Sequence, residues 1–273
     1  MKFIKKQIFT AFLAIGLLTS GCQTVQTTSG GAVGVERQQR MMFSSQEIDA
    51  SATKAYQQTI AESQKKGTLN RDAAQVARVR AIAARLIPAT GSFRADAPKW
   101  RWEVNVITSR EVNAWCMPGG KIAVYTGLIE TLNATDDELA AVMGHEIAHA
   151  LREHGRERAS QQATQGILLQ VLGAAAGLGD AGMDLAGLVT NVTLTLPNSR
   201  EHEQEADRIG LELAARAGYH PNAAVTLWQK MSKSAGGAPP QFLSTHPSPS
   251  TRIQDLQAYA PRVMPIYEAA KKR

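Results

Sequence analysis

In "MGHEIAHALREHG", residues 143–155, two histidines stand four positions apart and a glutamate directly follows the first. On a helix, His145 and His149 project from one face about 6 Å apart along the axis, so two imidazoles can meet one metal ion. Glu146 lies about 100° round from His145, beside an open coordination position and not among the ligands. There a carboxylate can take a proton from water as the water attacks a peptide carbonyl. The arrangement suits a catalytic Zn²⁺. The alternative is an amphipathic helix whose two histidines are satisfied by core hydrogen bonds. Gly144, Ala148 and Ala150 argue against it, because they keep the helix slim where metal and substrate must approach.

A catalytic zinc takes three protein ligands. His154 falls about 180° round a continuous helix from His145 and is set aside. Glu153 shares the histidine face but sits about 12 Å along the axis from His145, too far to ligate with it. The better source is "NSREHEQEADRIGLELAARAGY", residues 198–219. Drawn as a helix, it puts Glu201, Glu205, Arg208, Glu212 and Arg216 on one stripe, expected to be exposed and charge-paired. Glu203, Ala206, Asp207, Gly210, Ala214 and Ala217 form the opposite stripe, where two carboxylates among small inward-facing residues need a cation. Glu203 as third zinc ligand, with Asp207 orienting a ligating imidazole, meets that need. Pairing with arginine from a neighbouring helix is the alternative.

Positioning these groups falls to the surrounding elements. Thr135 and Glu138 form a capping box, so the histidine helix starts at 136. Further helices are expected at about 45–65, 70–87, 158–173, 199–217, 221–233 and from 249 to the end, with a break near Pro261 or Pro265. "WRWEVNVIT" (100–108) and residues 121–126 read as strands, the second preceded by a tight Gly119–Gly120 turn. Residues 166–196 carry only two charges, Asp180 and Asp184. A membrane-dipping hairpin is one reading, but the uncharged runs fall below spanning length, which favours packing over the core or a flap near the site.

Apolar content of 44% and charged content of 20% suit one substantial folded domain. The formal charge is +6, and Lys2, Lys5 and Lys6 contribute three of these units. No face carries the density of Lys and Arg that nucleic acid requires, so nucleic-acid binding is excluded. Those three lysines precede the apolar run "IFTAFLAIGLL", as in a signal peptide over 1–21. "LLTSGC" resembles a bacterial lipobox with Cys22 as the lipidated residue; a plain secretory signal is the alternative. Residues 22–40, polar and rich in Gly and Thr, are expected to be an open, lipidated tether. With Cys22 lipidated, Cys116 has no disulfide partner and reads as a small buried residue.

HEIAH followed by Glu203 and Asp207 resembles metallopeptidase family 48, a gluzincin family with HtpX-like, Oma-like and BepA-like members. "NAWCMPGGKIAVYTGLI" (113–129), similar to the family's strand-turn-strand before the active helix, "SREHEQEADRIG" (199–210), "AGYHP" (217–221) and "STHPSPSTR" (244–252) extend the resemblance. It implies a zincin-like fold over 41–273: α+β, predominantly helical, with a small β-sheet packed beside the active-site helix. It further implies one zinc ion per chain, with Glu146 as general base and then acid. His246 would stabilise an oxyanion, or join the zinc as a fourth ligand and plug the site, or be a surface loop residue. Arg252 would pair with a carboxylate such as Asp207. Asn113, Gly119 and Gly120 would receive substrate as an added strand. His202 is expected at the surface and His220 at a helix start, neither with a chemical role.

The function implied is a zinc endopeptidase that degrades misfolded or misassembled cell-envelope proteins. It would be lipid-anchored at the outer membrane facing the periplasm, since Gln23 follows Cys22. The chain shows neither the membrane helices of HtpX-like members nor a tetratricopeptide domain like that of BepA-like members. The rivals are a catalytically quiet chaperone or assembly lipoprotein with a plugged or structural zinc, and an enzyme acting on a specific small or prenylated peptide. Oligomeric state is left open.

Overall fold

A computed structural model of the 273-residue chain describes residues 23–175, 184–234, 241–247 and 249–272. The expected signal segment and Cys22 lie outside these residues. In chain order the elements are β1 (Gln23–Val25), β2 (Gln39–Met41), α1 (Ser45–Lys65), α2 (Ala73–Ala89), β3 (Glu103–Ile107), β4 (Ala114–Met117) and β5 (Lys121–Tyr125). There follow α3 (Thr126–Thr131), α4 (Asp136–Leu151), α5 (His154–Ala175), α6 (Leu185–Thr190), α7 (Arg200–Arg216), α8 (Asn222–Ser234), α9 (Gln241–Thr245) and α10 (Pro249–Ala270). The fold is α+β and predominantly helical, with the sheet beside the histidine helix.

The Thr135 side chain accepts the Glu138 N–H and the Glu138 carboxylate accepts the Thr135 N–H, so α4 starts at the expected capping box. Every residue from Glu138 to Leu151 is buried, which makes α4 the central helix. One side of it meets α7 at unusually short range. A Cβ on Gly144 would stand 2.8 Å from the Gly210 carbonyl oxygen, and one on Gly210 would stand 2.6 Å from the His145 nitrogen. Only two glycines let the backbones touch there.

The three-stranded sheet has the order β3-β5-β4, with β3 parallel and β4 antiparallel to β5. β4 is not legible as a strand from alternation; only the resemblance of residues 113–129 to the family's strand-turn-strand points to it. Both of its faces are covered: Ala114 and Cys116 pack into the main core, Trp115 and Met117 into a second cluster with Ile48 and Tyr56. Burial on both sides removes the apolar–polar alternation by which a strand is read. The second cluster also takes Val189 and Val192, so residues 185–195 of the 166–196 segment pack against α1. No helix among the described residues is long and apolar enough to cross a membrane.

Two expectations about helices need correction. α10 runs unbroken through Pro261 and Pro265. Both prolines are exposed, so water can satisfy the carbonyls they leave free. The other concerns α4, which does not continue to His154. Glu153 takes a left-handed φ of 51°, and α5 starts in a new direction at His154.

The expected open tether is also corrected from residue 23 onward. β1 and β2 pair antiparallel, and Val33, Val35, Gln39 and Met41 are buried. The inward positions 33, 35, 37, 39 and 41 follow a strand period of two, but Arg37 and Gln39 occupy two of them, which hid the pattern. This strap covers the stripe of α7 that was expected to be exposed. Glu205 and Glu212 are buried beneath it: Glu205 accepts from Arg37 Nε at 2.7 Å, and Glu212 accepts from the Val33 N–H at 3.1 Å.

Two substitutions test these contacts. Gly210→Ala forces α4 and α7 apart and is expected to cost about 1–3 kcal/mol in denaturant unfolding. Arg37→Ala leaves Glu157 without its arginine and Glu205 with Arg152 alone; its expected loss, by the same measurement, is about 3 kcal/mol.

Candidate metal centre and active site

The contact between Gly144 and Gly210 determines what lies opposite the two histidines. One turn before Gly210 on α7, Asp207 Oδ1 stands 3.0 Å from His145 Nδ1. A further turn back, the fully buried Glu203 reaches both imidazoles: Oε1 is 3.3 Å from His149 Nε2, and Oε2 is 3.6 Å from His145 Nε2. His246, just past α9, brings Nδ1 to 3.2 Å from His145 Nε2 and 2.9 Å from Glu203 Oε1. Donor atoms of His145, His149, Glu203 and His246 all lie within 4.8 Å of one another. Three imidazole nitrogens and a carboxylate this close cannot all be satisfied by donating to one another. One cation at their centre uses every lone pair, and two or three neutral imidazoles with a carboxylate are ligands that zinc favours.

The protonation states of His149 and Glu203 agree with that reading. Burial pushes His149 down to about 3, so it stays neutral with a lone pair free. Burial alone would raise the Glu203 carboxyl, yet His246 and Arg252 beside it hold it well below the usual range. Arg252, at the start of α10, is itself buried and ion-pairs with Glu203 and with both oxygens of Asp207. Its guanidinium lies 3.7 Å from the centre of the Trp228 ring, which fixes its plane.

Glu146 points into a small cavity of about 30 Å³, lined also by Cys116, Pro118, His149, His154 and His246. Burial raises its carboxyl, partly offset by His246 and His145. Its Oε1 has no hydrogen-bond partner among the described residues, and His246 Nε2 stands 3.4 Å away. Val192, Thr193 and Asn198 close the outer side of this cavity. Arg158 clasps that segment, donating to the Val192 and Pro197 carbonyls, to the Leu196 carbonyl at 2.9 Å and to Asn198 Oδ1 at 2.7 Å.

The strand stretch is placed differently from expectation. Gly119 and Gly120 form the β4–β5 turn with φ of 77° and 83° and face Asp49 and Trp102, away from Glu146. Asn113 is engaged in holding β4: its carbonyl accepts the Tyr125 N–H, and its side chain accepts the Ala114 N–H. Within this stretch it is Cys116 and Pro118 that line the cavity beside Glu146.

Two histidines need the plainest correction. The break at Glu153 swings His154 inward, where Nδ1 lies 2.9 Å from His149 Nδ1 and Nε2 lies 3.0 Å from Glu205 Oε2. His202, expected at the surface, is buried and stacks on His154 at 4.3 Å between ring centres, with Nε2 3.1 Å from Glu157. The signal available for both was the run Arg152 to Arg158, far too charged for a buried helix start unless polar partners await it. Glu153 pairs with Arg94 and Arg156 and does not approach the histidine cluster. His220 precedes α8, its N–H donating to Asp137.

Comparison with known proteins decides the family. The profile described as Peptidase family M48 matches residues 73–260. The chain belongs to peptidase family M48. Among relatives, a Mitochondrial metalloendopeptidase OMA1 of Schizosaccharomyces pombe is 40% identical over 163 residues, covering 59% of this chain and 47% of that protein. Its Arabidopsis thaliana namesake is 42% identical over 155 residues, 57% of this chain and 31% of that protein. The Beta-barrel assembly-enhancing protease of Escherichia coli is 30% identical over 184 residues, 63% of this chain and 37% of that protein. The matches thus span about half or less of these relatives' length. M48 peptidases are zinc-dependent, and the donor set here fits that ion.

A folded-state site that binds zinc must couple to stability. Zinc at a hundredfold excess over its dissociation constant is expected to raise unfolding free energy by about 2.7 kcal/mol, and chelation to reverse it. Differential scanning calorimetry with and without chelator reads the difference.

Proposed function

We propose that this M48 chain is a zinc endopeptidase of the cell envelope that holds its metal through His145, His149 and Glu203. When bound, the ion would act as a Lewis acid toward the scissile carbonyl. Asp207 fixes His145, and Arg252 neutralises the remaining carboxylate charge. Glu146 carries the proton: it takes one from the attacking water and returns it to the departing amide nitrogen. Its raised carboxyl and free oxygen suit both halves of that cycle. The observation that carries the reading is the convergence of four buried donors within 4.8 Å beside that carboxylate.

The closed cleft favours a refinement in which the enzyme is held latent. His246 supplies the fourth donor and stacks on Phe242 at 4.2 Å, while Arg158 pins Val192 to Asn198 over Glu146. In this reading His246 acts as a removable plug. The edge of β4 that is not paired with β5 receives substrate as an added strand, which suits unfolded chains with little side-chain selectivity. Misfolded or misassembled envelope proteins are then the substrate class, and a lipid on Cys22 would hold the enzyme at the periplasmic face of the outer membrane. The related E. coli protease, by its name, enhances β-barrel assembly, which supports that setting.

Casein hydrolysis by purified, zinc-loaded protein tests the reading. Wild type or His246→Ala is expected to cleave, with the variant faster, and Glu146→Gln in either background is expected to lose about 10³-fold or more. Cleavage that survives Glu146→Gln would overturn the assignment. If neither parent nor His246→Ala cleaves any unfolded chain, the quiet assembly lipoprotein is the correct reading.

A further inference from the structure

The two ligating imidazoles are held by different devices. His145 Nδ1 meets a carboxylate directly, Asp207 at 3.0 Å. His149 meets none. With Nε2 turned to the metal-binding cluster, its Nδ1 faces His154 Nδ1 at 2.9 Å, and His154 Nε2 faces Glu205 Oε2 at 3.0 Å. Only one assignment of protons satisfies all three groups. His149 Nδ1–H donates to His154 Nδ1, and His154 Nε2–H donates to Glu205.

We propose that His154 and Glu205 are positioning residues that hold His149 for zinc, a carboxylate–imidazole–imidazole relay standing where a direct carboxylate serves His145. The inference rests on the metal-site reading given above, since it needs His149 to be a ligand. The relay is anchored at its far end. Glu205 also accepts from Arg152 Nε at 3.0 Å and from Arg37 Nε at 2.7 Å, and Arg152 is fully buried. Arg37 belongs to the N-terminal strap, whose Gln39 donates to the Arg152 carbonyl and to Glu157. His202 stacks on His154 but bonds to Glu157 and not to the relay, so it supplies an internal control.

The placement explains two features of the chain. The left-handed Glu153 ends α4 one turn past His149, so that His154 can fold back on it and not run on around the helix. Glu205 and Asp207 leave α7 on different sides, so one helix can support both ligating histidines from separate directions.

The test is zinc affinity by chelator competition, with melting of the zinc-free proteins measured alongside. Removing an outer partner of a ligating histidine weakens metal binding by about 10–100-fold. His154→Phe keeps the ring stack and loses both nitrogens, and is expected to fall in that range. Glu205→Gln is expected to weaken binding less, and His154→Gln, able both to accept and to donate, to recover most of it. His202→Phe is expected to lower the zinc-free melting temperature as much as His154→Phe does, yet leave zinc affinity unchanged. The relay is overturned if His154→Phe binds zinc as tightly as wild type, or if His202→Phe loses as much affinity. Should His154→Phe fail to fold, unchanged affinity in Glu205→Gln overturns it. If wild type itself binds no zinc, the metal-site reading falls, and the relay falls with it.

Discussion

Everything at this site depends on two helices touching through their backbones at Gly144 and Gly210. A Cβ at either position would stand 2.8 Å or less from the facing backbone, so the two helices would have to move apart. The separations of Glu203 from His149 and of Asp207 from His145 would lengthen with that movement. The contact lies one residue before the first histidine and three after Asp207, so it sets the separation of the facing donors at the point where it matters most. Small residues nearby, Ala148 on α4 and Ala206 and Ala214 on α7, continue the close fit along the crossing.

Burying this much charge has consequences for the rest of the molecule. Four carboxylates of α7, Glu203, Glu205, Asp207 and Glu212, lie inside the protein, and each has a named cationic partner. Arg252 serves Glu203 and Asp207; Arg37 and Arg152 serve Glu205; Arg216 serves Glu212. Two of these arginines come from the ends of the described chain: Arg37 from the strap and Arg252 from α10. The ionic interior therefore ties the first and last parts of the domain to the same helix. A buried charge left without its partner is costly, which makes the strap an integral part of the domain and not a linker to it.

The sequence was most legible where local rules decide the outcome. The Thr135–Glu138 box fixed the start of α4, and the four-residue spacing placed His145 and His149 on one face. The wheel drawn for α7 put Glu203 and Asp207 inward, where they lie. It also put Glu205 and Glu212 outward, because one helix's pattern carries no information about a strap that folds over it. Burial on both faces hid β4 from any alternation pattern, so that only the family resemblance of 113–129 pointed to it, and polar residues in inward positions hid the strap. His154 was set aside on the assumption of an unbroken helix; one left-handed residue, Glu153, reversed that. A non-glycine residue in that conformation is rare enough that helical periodicity gives no warning of it.

The central claim is that His145, His149 and Glu203 together hold one zinc ion. Zinc X-ray absorption on purified protein, combined with metal stoichiometry, addresses it most directly. The account predicts one zinc per chain in a shell of imidazole nitrogens and carboxylate oxygen, with Glu203→Gln losing the oxygen ligand and most of the affinity. A chain that purifies and reconstitutes without metal, or a zinc whose shell and affinity are unchanged in Glu203→Gln, would contradict it.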